Sequence, residues 1–450
     1  MQFSIIPRRT EDLLAVPRTL FVCSAWFALA GALPAQGPIR PLAQDHVVVA
    51  ESDDSRISPL YSPSLLRLDE GRLVASYTQQ HKRDSDKKTF QVMLTSDDRG
   101  RSWDERATLN ALQGRVFRAG SAIYYLATGA GLPISKSADR GETWSDPVDL
   151  TGLDQTWQQT AANVWYANGN VYIAMELMMR RINAWGAGEK APVLLRARVE
   201  DDLTDPASWT FSDPVAFADI IPGYRENKPE IDYFGIPFYQ QDYPNRAKIV
   251  PGRSFSPMGW AEGNVVQILD PDHYWFDDSG RTFHIFLRAL TGMANYATVI
   301  KVVEQPDGAM TTELERAPSG KKVLLLPFPG GQMRFHVLYD EPTRLYWLLS
   351  NQTTDSMTRA ERLPKDRHDL AFGERHRLVL HFSKNMVDWC FAGVVAIGET
   401  AKASRHYAAM EFDGDDLVIL SRSGDEGAHD AHDGNLITFH RIRNFRELVY

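Results

Sequence analysis

Ten side chains of five kinds in this sequence stand where they could do chemistry. Glu262 opens an apolar strand pattern, Val265-Val266-Gln267-Ile268, with Gly263 behind it. A carboxylate in such a run needs a partner or a task, because burying a bare charge is expensive. Glu176 interrupts the apolar pattern of Val171, Ile173 and Met175, with Arg180 and Arg181 beyond it. It reads either as a second pocket acid or as half of an ion pair. Arg288 ends the apolar run Phe283–Leu287, and Arg334 follows Gly330-Gly331. Each is a pocket cation or a solvated strand end. Tyr407, preceded by His406, begins a further strand. Asp84 and Asp86 sit in KRDSDKK, which reads equally well as a solvated charged loop. His429 and His432 lie in AHDAHD, a polar segment whose short spacing fits a surface turn better than a metal site, so no metal is expected.

The elements that must hold these groups are short strands. Five hairpins are predicted from apolar runs joined by tight polar turns. They are Ser64–Leu68 with Arg72–Tyr77, Asn163–Tyr166 with Val171–Glu176, Val265–Leu269 with Phe283–Leu287, Phe335–Tyr339 with Arg344–Ser350, and Ala408–Phe412 with Leu417–Ser421. Turns such as Asn168-Gly169 and Asp413-Gly414 supply the positive φ that hairpins need. A third strand follows most hairpins and ends in a polar turn and a Trp. The clearest two are SDDRGRSW at 96–103 and SADRGETW at 137–144. Looser versions run from Glu200-Asp201-Asp202-Leu203 to Trp209 and from Ser383 to Trp389. In this device the Asp accepts hydrogen bonds from the turn's own N–H groups, the Gly takes a left-handed conformation, and the Trp anchors the turn to the core. Its role is structural. The repeating unit is four antiparallel strands, and about six units fit the chain. The fold class expected is therefore all-β, a six-bladed β-propeller of four-stranded antiparallel blades, closed by Val47–Ala50 pairing beside Leu436–Ile442.

Bulk properties agree with that architecture and exclude some functions. The 450 residues include 11 Trp, 16 Tyr and 21 Phe, residues that favour strands and line sugar sites. A net charge of -9 argues against nucleic acid as partner. It leaves room for an anionic small substrate in a locally basic pocket. Arg8, Arg9 and Arg18 precede the apolar run Leu20–Leu33, and small residues follow at Ala35, Gln36 and Gly37. That layout predicts a signal peptide over 1–36, a secreted or periplasmic protein, no membrane attachment after its removal, and a single propeller domain over 37–450. Cys23 would leave with the leader, so Cys390 has no disulfide partner. No phosphate-cradling or dinucleotide fingerprint is present, no cofactor is expected, and the chain is expected to be a monomer.

The two eight-residue turns resemble the Asp boxes of sialidases, and the resemblance extends in weaker form from about Tyr61 to Arg443. Trp260–Ile268 resembles the strand that carries the family's buried glutamate. Phe286-Leu287-Arg288 resembles the segment with a carboxylate-gripping arginine, and His406–Met410 the segment with a nucleophilic tyrosine. The resemblance implies Tyr407 as nucleophile, Glu262 as its base and Asp84 or Asp86 as acid/base. It implies Arg288 and Arg334 as carboxylate ligands. Glu176, from its own strand pattern, and His406, beside Tyr407, are further candidates for the substrate site. A phenol suits a substrate whose anomeric carbon bears a carboxylate, since a carboxylate nucleophile would be repelled; such enzymes depart from the two-carboxylate scheme. The expected activity is exo-hydrolysis of a terminal acidic sugar, sialic acid by default, from a glycan or glycoconjugate. One departure stands out. Sialidases usually carry Arg-Ile-Pro on the first inner strand, where this chain has Tyr61-Ser62-Pro63-Ser64. The segment 224–258, rich in Tyr, Pro and charge, is read as an insertion near the pocket mouth. Two rival readings are a carbohydrate-binding propeller without turnover, and a glycosidase or lyase of another acidic polysaccharide with His406, His429 or His432 as base.

Overall fold

The computed structural model describes residues 39–82, 89–158, 160, 162–231 and 239–450. Residues 40–450 form one compact unit. The expected leader, and with it Cys23, lies outside the described residues, as do Asp84 and Asp86. Among the described residues no helix is long and apolar enough to cross a membrane.

Six antiparallel sheets follow one another along the chain. Blade I comprises Leu60–Arg67, Leu73–Gln80, Thr89–Ser96 and Asp104–Leu109. Blade II comprises Gly114–Ala119, Ala122–Ala127, Pro133–Ser137 and Val148–Asp149. Blade III is built on Trp165–Ala167, Asn170–Met178, Lys190–Arg198 and Trp209–Phe211, and its sheet is extended by Thr156–Gln158 and Gly129–Ala130. Blade IV runs through Gly259–Val266, Thr282–Leu290, Tyr296–Glu304 and Met310–Glu313. Blade V holds His336–Asp340, Leu345–Asn351, Arg377–Ser383 and Cys390–Ile397. Blade VI takes Arg405–Asp413, Asp416–Ser423 and Leu436–Ile442 from the end of the chain and Val47–Glu51 from its start. The last two pair antiparallel, with Val47 opposite Phe439 and Glu51 opposite Leu436. The ring is thus closed by hydrogen bonds between distant parts of the chain, which removes one pair of exposed edges. All five predicted hairpins are present. The sixth, Gly114–Ala119 with Ala122–Ala127, turns on Gly120 at φ 56°.

The repeated turns lie between third and fourth strands. Asp98 Oδ1 accepts from the N–H of Arg101 and of Ser102, both at 2.9 Å, and Asp139 Oδ1 accepts from Thr143 N–H at 2.9 Å. In blade V, Asn385 plays the same part, its Oδ1 accepting from Val387 and Asp388 N–H at 3.0 and 2.8 Å. Gly100 and Gly141 both sit at φ 89°. At Gly100 a Cβ would meet the Phe439 ring at 2.2 Å, so the close approach also demands glycine.

The apolar core lies between blades. Leu65, Leu73 and Ala75 of blade I pack with Leu420, Ile437 and Phe439 of blade VI. Phe117 and Tyr124 of blade II pack with Ile173 and Leu195 of blade III. Around the axis, side chains of the inner region tie blade to blade. Ser64 Oγ accepts Val116 N–H at 2.9 Å. Asn163 accepts Val265 N–H at 2.7 Å and donates to the Val265 and Val337 carbonyls at 2.9 and 3.2 Å. Asn264 accepts Val337 N–H at 2.9 Å, and His336 Nδ1 accepts Met410 N–H at 2.8 Å. These fully buried bonds fix the inner strands against one another, since leaving any of those backbone groups unpaired would cost about 1–3 kcal/mol.

Candidate active site

Three inner strands break their register near their first residues. The shifts fall between Tyr61 and Ser64, between Ala261 and Asn264, and between His406 and Ala409. At each bulge one non-glycine residue is left-handed: Ser62 at φ 43°, Glu262 at φ 64° and Tyr407 at φ 51°. Such conformations cost on the order of 1–3 kcal/mol each and persist where the surroundings over-determine them, often at functional sites. Small residues stand at or beside each bulge: Ser62 and Ser64, Ala261 and Gly263, Ala408 and Ala409. At Gly263 a Cβ would meet Ile285 Cγ2 at 2.7 Å and Ala174 Cβ at 3.1 Å, so the strand behind Glu262 has no room for a side chain.

Two of the bulges, at Glu262 and Tyr407, converge on one arginine. Arg288 Nη1 donates to the Tyr407 hydroxyl at 2.8 Å and lies 3.5 Å from Glu262 Oε2. The phenol and carboxylate oxygens are therefore at most 6.3 Å apart, the sum of those two distances. Arg288 is held from behind by its Nε, which donates to the Gln332 carbonyl at 2.7 Å. Burial pushes the Tyr407 phenol above its usual range; Arg288 pulls it down and Glu262 pushes it up again. A phenol so placed stays neutral until a base takes its proton, and Glu262, 1% exposed, is the adjacent carboxylate.

Tyr407 and Arg288 line a cavity of about 650 Å³, of the size that holds a sugar. Two further buried arginines, Arg375 and Arg422, reach it. Neither forms an ion pair with a carboxylate among the described residues. Arg375 Nη1 meets His406 Nδ1 at 3.0 Å, and Arg422 donates to the His432 carbonyl oxygen and stacks 4.0 Å from the Tyr61 ring and 5.4 Å from the Tyr407 ring. Burial lowers both guanidinium groups, Arg422 to about 10. The position where the sequence lacks an arginine is filled by Tyr61, and over its ring lies the guanidinium of a different blade. Trp185 adds a half-buried indole to the wall, with the Arg288 guanidinium 5.5 Å from its ring centre.

The remaining expected residues fall around this group. Arg334 is buried, directs Nη1 at the Tyr407 carbonyl at 3.4 Å, and is not among the cavity's lining residues. His406 is buried below the surface and supports Arg375. Glu176 accepts Gly263 N–H at 3.1 Å behind Glu262, and burial raises its carboxyl to about 8 while Lys190 lowers it. His429 is exposed on its loop, its Nε2 3.9 Å from Asp430. His432 does line the cavity, its Nδ1 2.7 Å from Asp433 Oδ1. Asp433 also accepts the Tyr61 hydroxyl at 2.6 Å and pairs with Lys82. The ligand atoms of Asp430, His432 and Asp433 lie within 4.8 Å of one another, but these hydrogen bonds already occupy Asp433, and Asp430 accepts the N–H groups of His432 and Asp433. From the 224–258 segment, Arg246 and the run Gly252–Ser256 reach the cavity.

Sequence reading passed over Arg375, Arg422, Tyr61 and Trp185. Arg375 lies in the charged run Gly373-Glu374-Arg375-His376-Arg377, which reads as a loop, and Arg422 ends an apolar strand. For the two arginines the only signal was an arginine near an apolar strand, too common to single out.

No family model and no curated protein matches this chain. Among solved structures it is similar to a protein of unknown function from Dyadobacter fermentans DSM 18053, at 12% identity over 90% of this chain and 99% of that chain, with a TM-score of 0.51. It is also similar to an α-L-arabinanase of Penicillium chrysogenum, at 11% identity over 90% and 99%, TM-score 0.48. A Trypanosoma rangeli sialidase in complex with sialic acid matches at 14% identity over 91% of this chain and 60% of that chain, TM-score 0.48. The first of these likenesses, at 12% identity, speaks for the fold alone, and function is argued from the site.

Proposed function

We propose that this chain is a glycoside hydrolase that removes a terminal acidic sugar from a glycan, with Tyr407 as nucleophile and Glu262 as the base that takes its proton. The observation that carries the reading is Arg288 Nη1, shared between the Tyr407 hydroxyl and the Glu262 carboxylate at the floor of the cavity. Arg288, Arg375 and Arg422 surround Tyr407 with positive charge, two of them without a carboxylate partner among the described residues. Three guanidinium groups beside one phenol suit a substrate whose carboxylate sits next to the reacting carbon. Under that condition a neutral nucleophile is favoured over a carboxylate. Sialic acid is the first substrate to try, by resemblance, and other ulosonic or uronic glycosides follow. Export by the N-terminal segment belongs to the same proposal, and mass measurement of the secreted protein's N-terminus tests it.

Reporter release from an aryl sialoside and from aryl glycosides of other acidic sugars identifies the substrate. On whichever sugar is turned over, Tyr407→Phe is expected to lower kcat by at least about 1,000-fold while leaving binding intact. An unchanged rate in that variant refutes the mechanism.

One observation favours a second reading. His432, oriented by Asp433, lines the same cavity beside Arg422 and Tyr61, a set that could remove a proton α to a uronate carboxylate. A lyase would release an unsaturated, ultraviolet-absorbing product, and a hydrolase would not.

A further inference from the structure

We infer that Asp369 is the acid/base catalyst of this site, an inference that rests on the hydrolase reading above. Asp369 lies on the blade V loop between Leu345–Asn351 and Arg377–Ser383, and it lines the cavity together with Tyr407, Arg288 and Arg375. Among the described lining residues it is the one carboxylate.

Its side chain is free for the task. Oδ1 accepts the N–H of Leu370 at 2.9 Å, and no lysine or arginine forms an ion pair with it among the described residues. The residue is half-buried and lines the cavity. Its backbone is clamped from the 224–258 segment: Arg253 donates from Nη1 to the Asp369 carbonyl at 2.5 Å and from Nη2 to the Pro364 carbonyl at 2.7 Å. Gly373 closes the loop from the other side, where a Cβ would meet Asp369 Cβ at 2.7 Å. A carboxyl on a backbone held this firmly, with one oxygen accepting a backbone N–H and no cationic side chain paired to it among the described residues, has the pre-organisation that proton transfer requires.

Other titratable groups of the cavity already have partners, His368 Nδ1 lying 3.5 Å from Asp430 Oδ2. Guanidinium groups do not give up protons at ordinary pH. The Tyr61 hydroxyl is committed to Asp433, and His432 Nδ1 is bound to the same carboxylate. In the first step Tyr407 oxygen bonds to the anomeric carbon, Glu262 takes the phenol proton, the glycosidic C–O bond breaks, and the Asp369 carboxyl proton passes to the leaving oxygen. In the second, the Asp369 carboxylate takes a proton from water, whose oxygen bonds to the anomeric carbon. The bond to Tyr407 then breaks and the phenol recovers its proton from Glu262.

Asp369→Asn, Asp369→Ala and the double variant D84N/D86N are compared, with folding checked by thermal melting. D369N is expected to lose about 100- to 10,000-fold on glycosides of poor leaving groups, less than about 10-fold on nitrophenyl glycosides, and the alkaline limb of its pH–rate profile. Azide is expected to restore turnover in D369A by attacking the glycosyl-enzyme directly. The inference is overturned if D369N keeps full activity, or if its loss is equal for all leaving groups with no azide rescue. It is overturned equally if D84N/D86N shows the selective loss, a result that stands even should D369N fail to fold. Loss of activity in Tyr407→Phe alongside normal D369N sinks this inference alone, whereas an indifferent Tyr407→Phe sinks the hydrolase reading beneath it.

Discussion

Arg422 offers a perturbation in which stability and function are expected to move in opposite directions. Its guanidinium is 2% exposed, lacks a carboxylate partner among the described residues, and is lowered by burial to about 10. Against an ordinary value of about 12.5, at about 1.36 kcal/mol per pH unit, holding that charge in the folded protein costs ~3 kcal/mol. The sign is that of a base with a depressed pKa, so the cost is present at every pH below about 10. Stacking 4.0 Å from Tyr61 and 5.4 Å from Tyr407 returns part of it, about 0.5–2 kcal/mol for each ring. Arg422→Met keeps the volume and discards the charge, and the balance predicts a gain of ~1 kcal/mol, a melting temperature higher by about 1–3 °C. The same variant loses a guanidinium contact to the substrate anion, worth about 2–3 kcal/mol, which weakens binding about 30- to 150-fold. Scanning fluorimetry and the binding constant of the free acidic sugar read both effects. A variant that melts several degrees lower, or binds the sugar as the parent does, refutes the view that Arg422 is a costly charge kept for a ligand.

Three further outcomes follow from the same geometry. Glu176, raised to about 8 by burial, keeps in the folded chain a proton that the unfolded chain releases above about pH 4.3, so it lowers stability as pH rises through that window. Denaturant melts of Glu176→Gln across pH 4–8 are expected to show a variant that gains on the parent as pH rises. Gly263→Ala forces a methyl into Ile285 and Ala174 behind the bulge; a loss of about 1–3 kcal/mol in denaturant melts, with a fall in kcat from the displaced Glu262, is expected. Asp98→Ala removes acceptors from Arg101 and Ser102 in a turn remote from the cavity, and is expected to cost about 1–2 kcal/mol in melts while kcat stays unchanged.

Much of the architecture was legible because its signals are local. Apolar runs joined by tight polar turns mark five hairpins, two of them with Asn-Gly or Asp-Gly, and the spacing of SDDRGRSW and SADRGETW marks where third strands end. Even ring closure by Val47–Glu51 could be anticipated, since an edge strand needs a partner. The site was legible in part. Glu262, Arg288 and Tyr407 each interrupt or bound an apolar strand, and the structure brings them to one guanidinium nitrogen. Three things were not written locally. The bulges at Ser62, Glu262 and Tyr407 depend on neighbouring strands, and their only trace is the small residues beside them. Arg375 and Arg422 are brought to the cavity from a loop and from a second strand, where an arginine is ordinary. The supporting partners, Gln332 behind Arg288 and Arg253 behind Asp369, come from distant segments, and no sequence period links them.

The central claim is that Tyr407 forms a bond to the sugar. Turnover of a fluorinated, slowly released acidic glycoside, quenched with acid and digested, allows the modified peptide to be weighed and sequenced. The account predicts one added glycosyl mass on the peptide that carries Tyr407, absent from Tyr407→Phe and formed more slowly in Glu262→Gln. A label on any other residue, or steady turnover with no labelled peptide, contradicts it.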